Sequence, residues 1–133
     1  MRIIVLQGLP NKGKTITLGI LWNIITNNGG NSINRQSLNS SNDFSDIVII
    51  NNQRVAFYTM GDYSNSLANA IYDYANQGCD ILVCALSTNN SKVRANNAIN
   101  QFNTTRRNKT IASTQTTEQQ ANTTDAQWIL NLI

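Results

Sequence analysis

Short apolar runs alternate along the chain with longer segments in which apolar residues recur at helical spacing. The apolar runs predict strands over residues 2–7, 46–50, 54–60, 79–86 and 110–115. The periodic segments predict helices over residues 13–26, 64–77 and 91–102, and a last helix from about Thr117. The sequence therefore predicts an α/β fold, a three-layer sandwich whose sheet has about five mostly parallel strands, the first of them central, with helices on both faces.

The second and third predicted strands are separated only by Asn51, Asn52 and Gln53. A parallel crossover needs a dozen residues or more, so this connection predicts an antiparallel hairpin. Ahead of the hairpin, residues 31–46 form a long polar segment that is either a functional loop or a mobile linker. We find no internal repeat and expect residues 1–133 to form a single domain.

The loop after the first predicted strand reads GLPNKGKT over residues 8–15, which matches the pattern G-x-x-x-x-G-K-[ST]. Gly8 and Gly13 leave room for the backbone to curve closely around a phosphate. The free N–H groups and partial positive charge at the start of the next helix also favour an anion. Lys14 adds a cation for the outer phosphates, and the Thr15 hydroxyl suits Mg²⁺ as a ligand.

With a strand before it and a helix after it, this loop resembles the phosphate-binding loop of the P-loop NTPase superfamily. The resemblance is closest over residues 2–26 and looser beyond them. It implies that a nucleoside triphosphate, ATP or GTP, binds together with Mg²⁺. It also implies a set of nucleotide-contacting residues, which we expect to be Gly8, Asn11, Lys12, Gly13, Lys14, Thr15, Ile16 and Gly61.

Gly61 and Asp62 directly follow the third predicted strand. An acidic residue at the carboxyl end of an apolar strand suits Mg²⁺, so Thr15 and Asp62 are the candidate metal ligands. Gly61 would offer its backbone N–H to the γ-phosphate. The second-switch pattern of the superfamily has aspartate before glycine, and here the order is reversed. The alternative is that Asp62 caps the helix that begins at Ser64.

The densest positive cluster, Arg-Arg-Asn-Lys at residues 106–109, precedes the last predicted strand. As a lid or finger it would neutralise the leaving phosphate, which makes Arg106 and Arg107, with Lys14 and Asp62, the candidate catalytic residues. The alternative is a solvated loop. The Asn-Lys-x-Asp sequence that contacts guanine in G-proteins is absent from the chain, so ATP is favoured over GTP.

Composition excludes several classes of site. The net charge is only +3 and 13% of residues are charged, so a nucleic-acid surface is not indicated. The chain has no histidine, which excludes Ser-His and Cys-His catalysis and histidine metal sites. No apolar run reaches membrane-spanning length and no leader is evident, so we expect a cytoplasmic protein without membrane contact. The spacing of Cys79 and Cys84 places them on opposite faces of a strand, which disfavours a mutual disulfide.

Three functions remain open at this level. The first is magnesium-dependent binding and hydrolysis of a nucleoside triphosphate. The second is phosphoryl transfer to a small molecule or nucleotide, with the polar segment 31–46 covering the acceptor and the basic cluster 106–109 as a lid. The third is a nucleotide-gated switch with negligible turnover that binds a protein partner or a second copy of the chain, because no residue is an obvious catalytic base.

Overall fold

The computed structural model describes residues 1–39 and 41–133, and in these residues the chain forms seven strands and four helices. The strands are β1 (Arg2–Gly8), β2 (Asn31–Ser32), β3 (Gln36–Ser37), β4 (Phe44–Ile50), β5 (Gln53–Tyr58), β6 (Ile81–Ser87) and β7 (Asn103–Asn108). The helices are α1 (Lys14–Asn27), α2 (Ser64–Asn76), α3 (Val93–Ile99) and α4 (Glu118–Leu130). All four predicted helices form, although α3 is shorter than predicted at both ends.

The strands make one mixed sheet in the order β2-β4-β5-β6-β1-β7, with β3 also paired to β4. The neighbours from β5 to β7 run parallel, whereas β4 is antiparallel to β5, β2 and β3. The α/β class is confirmed and part of the sheet is parallel as predicted, but the described residues form seven strands rather than about five, with antiparallel pairs on one side. Two additional short strands form within residues 31–37 and pair antiparallel with β4. β1 has a neighbour on each side, but it lies second from the β7 edge rather than in the centre.

β7 forms at a place where the sequence predicted a loop, and the predicted strand over 110–115 does not form. β7 is an edge strand of the sheet, so it has a single neighbour, β1, with which it pairs in parallel from Asn103 to Asn108. Its residues are exposed or only half-buried, so it carries no apolar run that a pattern search would detect. Backbone hydrogen bonds at a sheet edge do not require apolar side chains, which explains the wrong prediction.

The predicted hairpin is confirmed as the β4–β5 pair, in which Ile50 lies opposite Gln53. The two turn residues, Asn51 and Asn52, have φ angles of 52° and 62°. A two-residue turn with positive φ at both positions matches the twist of antiparallel strands, and asparagine tolerates this conformation. The local sequence therefore determines this connection.

Different helices cover the two faces of the sheet. Ile4 and Leu6 of β1 pack in a buried cluster with α1 and α4, whereas Ile3 and Val5 pack in a second cluster with α2 and α3. Successive side chains of a strand point to opposite faces, so one apolar run serves both layers. The predicted helices on both faces are thus confirmed, and α4 covers a side of the apolar helix α1 that the sheet leaves open.

Part of the long polar segment is ordered by Asp46, whose side chain is fully buried on β4. Its carboxylate accepts hydrogen bonds from Trp22 Nε1 at 2.7 Å, Ser32 Oγ at 2.5 Å and the Asn34 backbone N–H at 3.0 Å. The Arg35 guanidinium lies 4.3 Å from the centre of the Trp22 ring. The segment is therefore attached to both α1 and β4, while residue 40 of the predicted loop lies outside the described residues.

The two cysteines are free and buried. Cys79 precedes β6 and packs in the same core cluster as Cys84, so the predicted placement of the two on opposite faces of one strand is wrong. Complete burial raises the pKa of the Cys84 thiol to about 12, so it stays protonated. Among the residues that the structure describes, no helix has the combination of length and apolar character that crossing a membrane requires.

Candidate functional site

The glycine loop (Gly8–Thr15) leaves the carboxyl end of β1 and leads directly into α1. Asn11 and Gly13 take left-handed conformations, with φ angles of 59° and 93°. Asparagine and glycine tolerate that region better than other residues do. No side chain caps the start of α1, so the N–H groups of its first turn are available to an anion.

Gly13 packs directly against the last helix. A Cβ added at this position would lie 2.5 Å from Asn122 Oδ1 on α4, so a larger residue would collide with that side chain. Thr17 Oγ1 donates to the Gly13 carbonyl at 2.7 Å and to Asn122 Oδ1 at 3.2 Å. The conformation of the loop is thus coupled to α4, more than a hundred residues away in the chain.

Lys14 is buried at the first position of α1, with 7% of its surface exposed. Its ammonium donates to the carbonyl oxygens of Gly8 at 3.0 Å and Leu9 at 2.7 Å. Burial lowers the pKa of Lys14, and the carboxylates of Asp62 and Asp43 oppose that shift. A partly desolvated cation held by neutral carbonyls would gain from an anionic ligand, because charge-assisted hydrogen bonds are stronger than neutral ones.

The first cavity has a volume of about 440 Å³ and opens between the glycine loop, the start of α1 and the carboxyl ends of β5 and β6. It brings together most of the sequence-predicted residues, namely Asn11, Gly13, Lys14, Thr15, Ile16, Gly61 and Asp62. Gly8 does not line this cavity, although its carbonyl accepts a hydrogen bond from Lys14 Nζ. Lys12 is exposed and lines a second cavity instead.

Asp43 connects two hydroxyl groups in the first cavity. Its Oδ1 accepts from Thr15 Oγ1 at 2.7 Å and from Thr59 Oγ1 at 2.8 Å. Thr59 Oγ1 in turn accepts from the backbone N–H of Phe44 at 2.9 Å. The chain before β4 is thereby fastened to both α1 and the end of β5 through groups that a ligand could also contact.

Asp62 lines the first cavity from the end of β5, with Gly61 beside it. Its Oδ1 accepts a short hydrogen bond from Ser87 Oγ, at the carboxyl end of β6. The alternative that Asp62 caps α2 is wrong, because the N-cap residue is Tyr63 and no side chain caps this helix. A Cβ at Gly61 would overlap the carbonyl oxygen of Ala85, so glycine is required for close packing of this segment on β6.

The second cavity has a volume of about 250 Å³ and lies on the other side of the glycine loop, against the residues that follow β7 and the start of α4. It shares three residues, Asn11, Gly13 and Ile16, with the first cavity. Both cavities therefore meet at the glycine loop, and together they have the size of a small-molecule site, roughly 300–1,000 Å³.

Arg106 and Arg107 belong to β7, so the predicted loop or lid position is wrong, and neither side chain lines either cavity. Arg106 donates to Gln7 Oε1 at 3.1 Å and to Asn100 Oδ1 at 3.3 Å. Arg107 donates through Nε to Asp125 at 2.8 Å. The structure thus brings Lys14 and Asp62 to one site and leaves these two arginines outside it.

A buried ion-pair network fixes the wall behind the second cavity. Asp125 of α4 is fully buried, and its carboxylate accepts hydrogen bonds from Arg107 Nε at 2.8 Å and from Lys109 Nζ at 2.9 Å. It also accepts two hydrogen bonds from Thr110, one from the backbone N–H at 2.8 Å and one from the hydroxyl at 2.6 Å. Burial by itself would raise the pKa of Asp125, but these hydrogen bonds together lower it below its usual value. The end of β7 is thereby fastened to the middle of α4.

The oxygen donors of the first cavity fit a magnesium ion. The Thr15 hydroxyl and the carboxylates of Asp43 and Asp62 are hard ligands of the type that Mg²⁺ prefers. Within residues 1–39 and 41–133, no three acidic, cysteine or histidine side chains converge as a self-sufficient metal cage. Mg²⁺ commonly keeps several waters and uses substrate phosphates as further ligands, so the smaller set is compatible with it.

Sequence reasoning missed Asp43 and Thr59, which line the first cavity, and Asn122, which contacts the glycine loop. Thr59 follows β5, so the rule that ligands gather at the carboxyl ends of parallel strands could have found it. Asp43 could not be found in this way, because it precedes β4 and reaches the same edge only because β4 runs antiparallel.

The arrangement can hold a phosphate chain on backbone N–H groups and the Lys14 ammonium, beside oxygen ligands for a metal ion. Comparisons of the chain with protein-family models, with curated proteins and with solved structures each found no match.

Proposed function

We propose that this protein binds a nucleoside triphosphate with Mg²⁺ in the first cavity and hydrolyses it, with ATP favoured over GTP. One observation carries the proposal. The uncapped start of α1 and the Lys14 ammonium share a cavity of about 440 Å³ with the Thr15 hydroxyl and the Asp62 carboxylate. Cationic and anionic groups in one cleft suit a ligand that combines phosphates with a metal cation, and the resemblance to P-loop NTPases indicates the same chemistry.

Each group has a definite part in the proposal. The first N–H groups of α1 and the Lys14 ammonium bind the phosphate oxygens, replacing the Gly8 and Leu9 carbonyls as partners of Nζ. Thr15 and Asp62 would hold the magnesium ion, which when bound neutralises charge on the outer phosphates. Ser87 orients the Asp62 carboxylate through their hydrogen bond.

Calorimetric titration with ATP and with GTP, each with and without Mg²⁺, tests the proposal. We expect Lys14→Ala to weaken binding by roughly hundredfold or more, because two charge-assisted hydrogen bonds of about 1.5–3 kcal/mol each would be lost. The control is Arg94→Ala on α3, since Arg94 is an exposed cation that lines neither cavity. Equal losses in the two variants, or no binding by the unmodified protein, would contradict a phosphate site at Lys14.

The metal assignment needs its own test. We expect Asp62→Ala to remove most of the magnesium dependence of nucleotide binding, and Asp73→Ala, at an exposed aspartate on α2, to leave it unchanged. Magnesium-independent binding by the unmodified protein would overturn the role of Asp62, whatever the affinity for nucleotide.

A nucleotide-gated switch with negligible turnover is the second candidate, and the contacts of the two arginines favour it. Arg106 and Arg107 are engaged by Gln7, Asn100 and Asp125 and lie outside the first cavity. Without an assisting arginine, switch proteins turn over far more slowly than about once per minute. Phosphate release above that rate would support the hydrolase and exclude the switch. The phosphotransferase alternative loses the lid that motivated it, because residues 106–108 belong to β7.

A further inference from the structure

Asn28, the residue directly after α1, is the one asparagine of the chain that a glycine follows. An asparagine side chain can react with the backbone nitrogen of the next residue, because that nitrogen and the side-chain amide carbon are close enough along the chain to close a small, unstrained ring. A Cβ on the next residue crowds the attacking nitrogen, and glycine has none. The sequence therefore singles out Asn28 for this reaction.

The attacking nitrogen is open to solvent and unengaged. Asn28 and Gly29 are both exposed, and Gly29, with a φ of 96°, has nothing within 4 Å of an added Cβ. The backbone N–H groups on either side, of Asn28 and Gly30, donate to the Ile25 carbonyl at 3.2 Å and 2.9 Å. Within residues 1–39 and 41–133, the Gly29 N–H makes no such bond. Its nitrogen can therefore reach the Asn28 side chain without breaking a backbone hydrogen bond.

The Asn28 side chain folds back over the last turn of α1, where Nδ2 donates to the Ile24 carbonyl at 2.6 Å. This hydrogen bond is exposed, so water can replace it at little cost while the amide turns toward Gly29. A carboxylate in place of the amide could not donate to Ile24, and its charge would face the negative end of the helix dipole. Conversion of the amide to an acid would therefore weaken the end of α1.

The chain after Gly29 has no room for a longer backbone. A Cβ added at Gly30 would lie 2.7 Å from the Ile25 carbonyl oxygen and 2.8 Å from Val48 Cγ1, so the backbone passes closely between α1 and β4. β2 begins at the next residue and pairs antiparallel with β4. An additional backbone atom at residue 28 would therefore displace Gly30 or shift β2 along β4.

We propose that Asn28 is a site of spontaneous deamidation, with water as the only co-reactant, and that its isoaspartate product loosens β2. In the first step the Gly29 nitrogen forms a bond to the Asn28 amide carbon, Cγ, and loses its proton. The bond from Cγ to Nδ2 breaks, and Nδ2 leaves as ammonia with that proton. Water then opens the cyclic imide by cleaving one of the two bonds that join the imide nitrogen to a carbonyl carbon.

The two ways of opening the imide give different products. Cleavage of the bond to Cγ gives aspartate with the original backbone. Cleavage of the bond to the backbone carbonyl carbon gives isoaspartate, in which the chain runs through Cγ and is longer by a methylene group. The isoaspartate form is the one that the close packing at Gly30 cannot accommodate. The reaction needs neither nucleotide nor metal, so the inference does not depend on the proposed function.

Two backbone amides that follow β2 report on its attachment. The Ile33 N–H donates to the Ile47 carbonyl at 2.9 Å, and the Asn34 N–H donates to Asp46 Oδ1 at 3.0 Å. Both hydrogen bonds depend on the placement of β2 against β4. We expect both amides to exchange hydrogen with solvent faster once residue 28 has become isoaspartate, because opening of β2 exposes them.

Incubation of the full chain at mildly alkaline pH, followed over time by peptide mass spectrometry, tests the site. We expect Asn28 to convert before Asn90, which is also exposed and has a positive φ of 59° but is followed by Ser91, whose Cβ crowds the nitrogen. The matched variant is Asn28→Gln, which keeps a side-chain amide but would have to close a larger ring. We expect this variant to lose the conversion at position 28.

Hydrogen exchange on the same samples tests the effect on β2. We expect faster exchange at Ile33 and Asn34 in the aged original chain, no change there in aged Asn28→Gln, and no change in β7 of either protein. Conversion of Asn28 no faster than that of Asn90 would overturn the site. Conversion to isoaspartate with unchanged exchange at Ile33 and Asn34 would overturn the effect on β2.

Discussion

The two sides of the glycine loop are built differently. On the side of β5 and β6, the Asp43 carboxylate is half-buried and holds the hydroxyls of Thr15 and Thr59 by single hydrogen bonds. On the side of β7 and α4, Asp125 is fully buried and binds three residues, two of them cationic. The Asp43 contacts can be exchanged for contacts with a ligand or water at a small cost in free energy. The Asp125 contacts cannot open without leaving buried charges unpaired. The loop therefore lies between a rearrangeable site and a fixed wall.

The largest expected effect comes from breaking the fixed wall with Asp125→Ala. The Lys109 side chain is 1% exposed and would lose its ion-pair partner, so we expect the free energy of unfolding to fall by about 3–5 kcal/mol. Urea denaturation measures this loss, with Asp73→Ala on exposed α2 surface as the control. A loss below about 1 kcal/mol would mean that water or a local shift satisfies Lys109, and that the wall is not fixed.

A second substitution tests the contact between the wall and the loop. In Gly13→Ala the residue keeps a φ of 93° and its Cβ meets Asn122 Oδ1, so strain of about 1–2 kcal/mol adds to overpacking of about 1–3 kcal/mol. Gly29→Ala is the matched control, because Gly29 has a φ of 96° and nothing within 4 Å of an added Cβ. The difference between the two losses, measured by denaturation, isolates the contact with α4. Equal losses would show that this contact contributes nothing.

Low pH should weaken the ion pairs that Asp125 forms in the fixed wall. The pKa of Asp125 is lowered below its ordinary value of 3.8, so its contribution to stability is present above that pH and is lost as the pH falls through the lower folded value. We therefore expect the difference in unfolding free energy between the unmodified protein and Asp125→Asn to be constant above about pH 5 and to narrow toward about pH 2. Denaturation at a series of pH values measures it. A difference that does not change with pH would show that the charge of Asp125 is unimportant.

The smallest effect is expected on the rearrangeable side. In Asp43→Ala the hydroxyls of Thr15 and Thr59 can turn to water in the open cavity, so we expect a loss of only about 1 kcal/mol in unfolding free energy. Asp43→Asn, which retains an acceptor oxygen, should lose less. A loss as large as that of Asp125→Ala would remove the contrast between the two sides.

Elements with strong local signals were predicted well. The alternation of apolar residues gave β1, α1 and α2 to within one or two residues, because burial on a sheet or helix face imposes a regular spacing. The turn at Asn51 and Asn52 was predicted from the shortness of the connection between the two strands. For the candidate site, the same local signals located the glycine loop and the end of β5 at Gly61 and Asp62.

Elements that depend on distant partners were not predicted. β7 is a strand because β1 offers it hydrogen bonds, and nothing in the polar run of residues 103–108 reveals that partner. The placement of Arg107 follows from Asp125, which is 18 residues away in the chain. Two cations of a cluster that could have been a lid, Arg107 and Lys109, are instead part of the wall, because they bind a buried carboxylate that only the packing of α4 brings near.

The local sequence is enough to predict the α/β class, the position of the glycine loop between a strand and a helix, and the residue types that the proposed phosphate and magnesium site would use. These depend on spacing over a few residues, and local physical chemistry is sufficient to predict them. Three features follow from the folded chain alone: Asp43 meets Thr15, Asn122 packs against Gly13, and the loop has a second cavity beside it. Each of these contacts joins segments far apart in the chain, and their approach depends on strand order and helix packing, which no local pattern encodes.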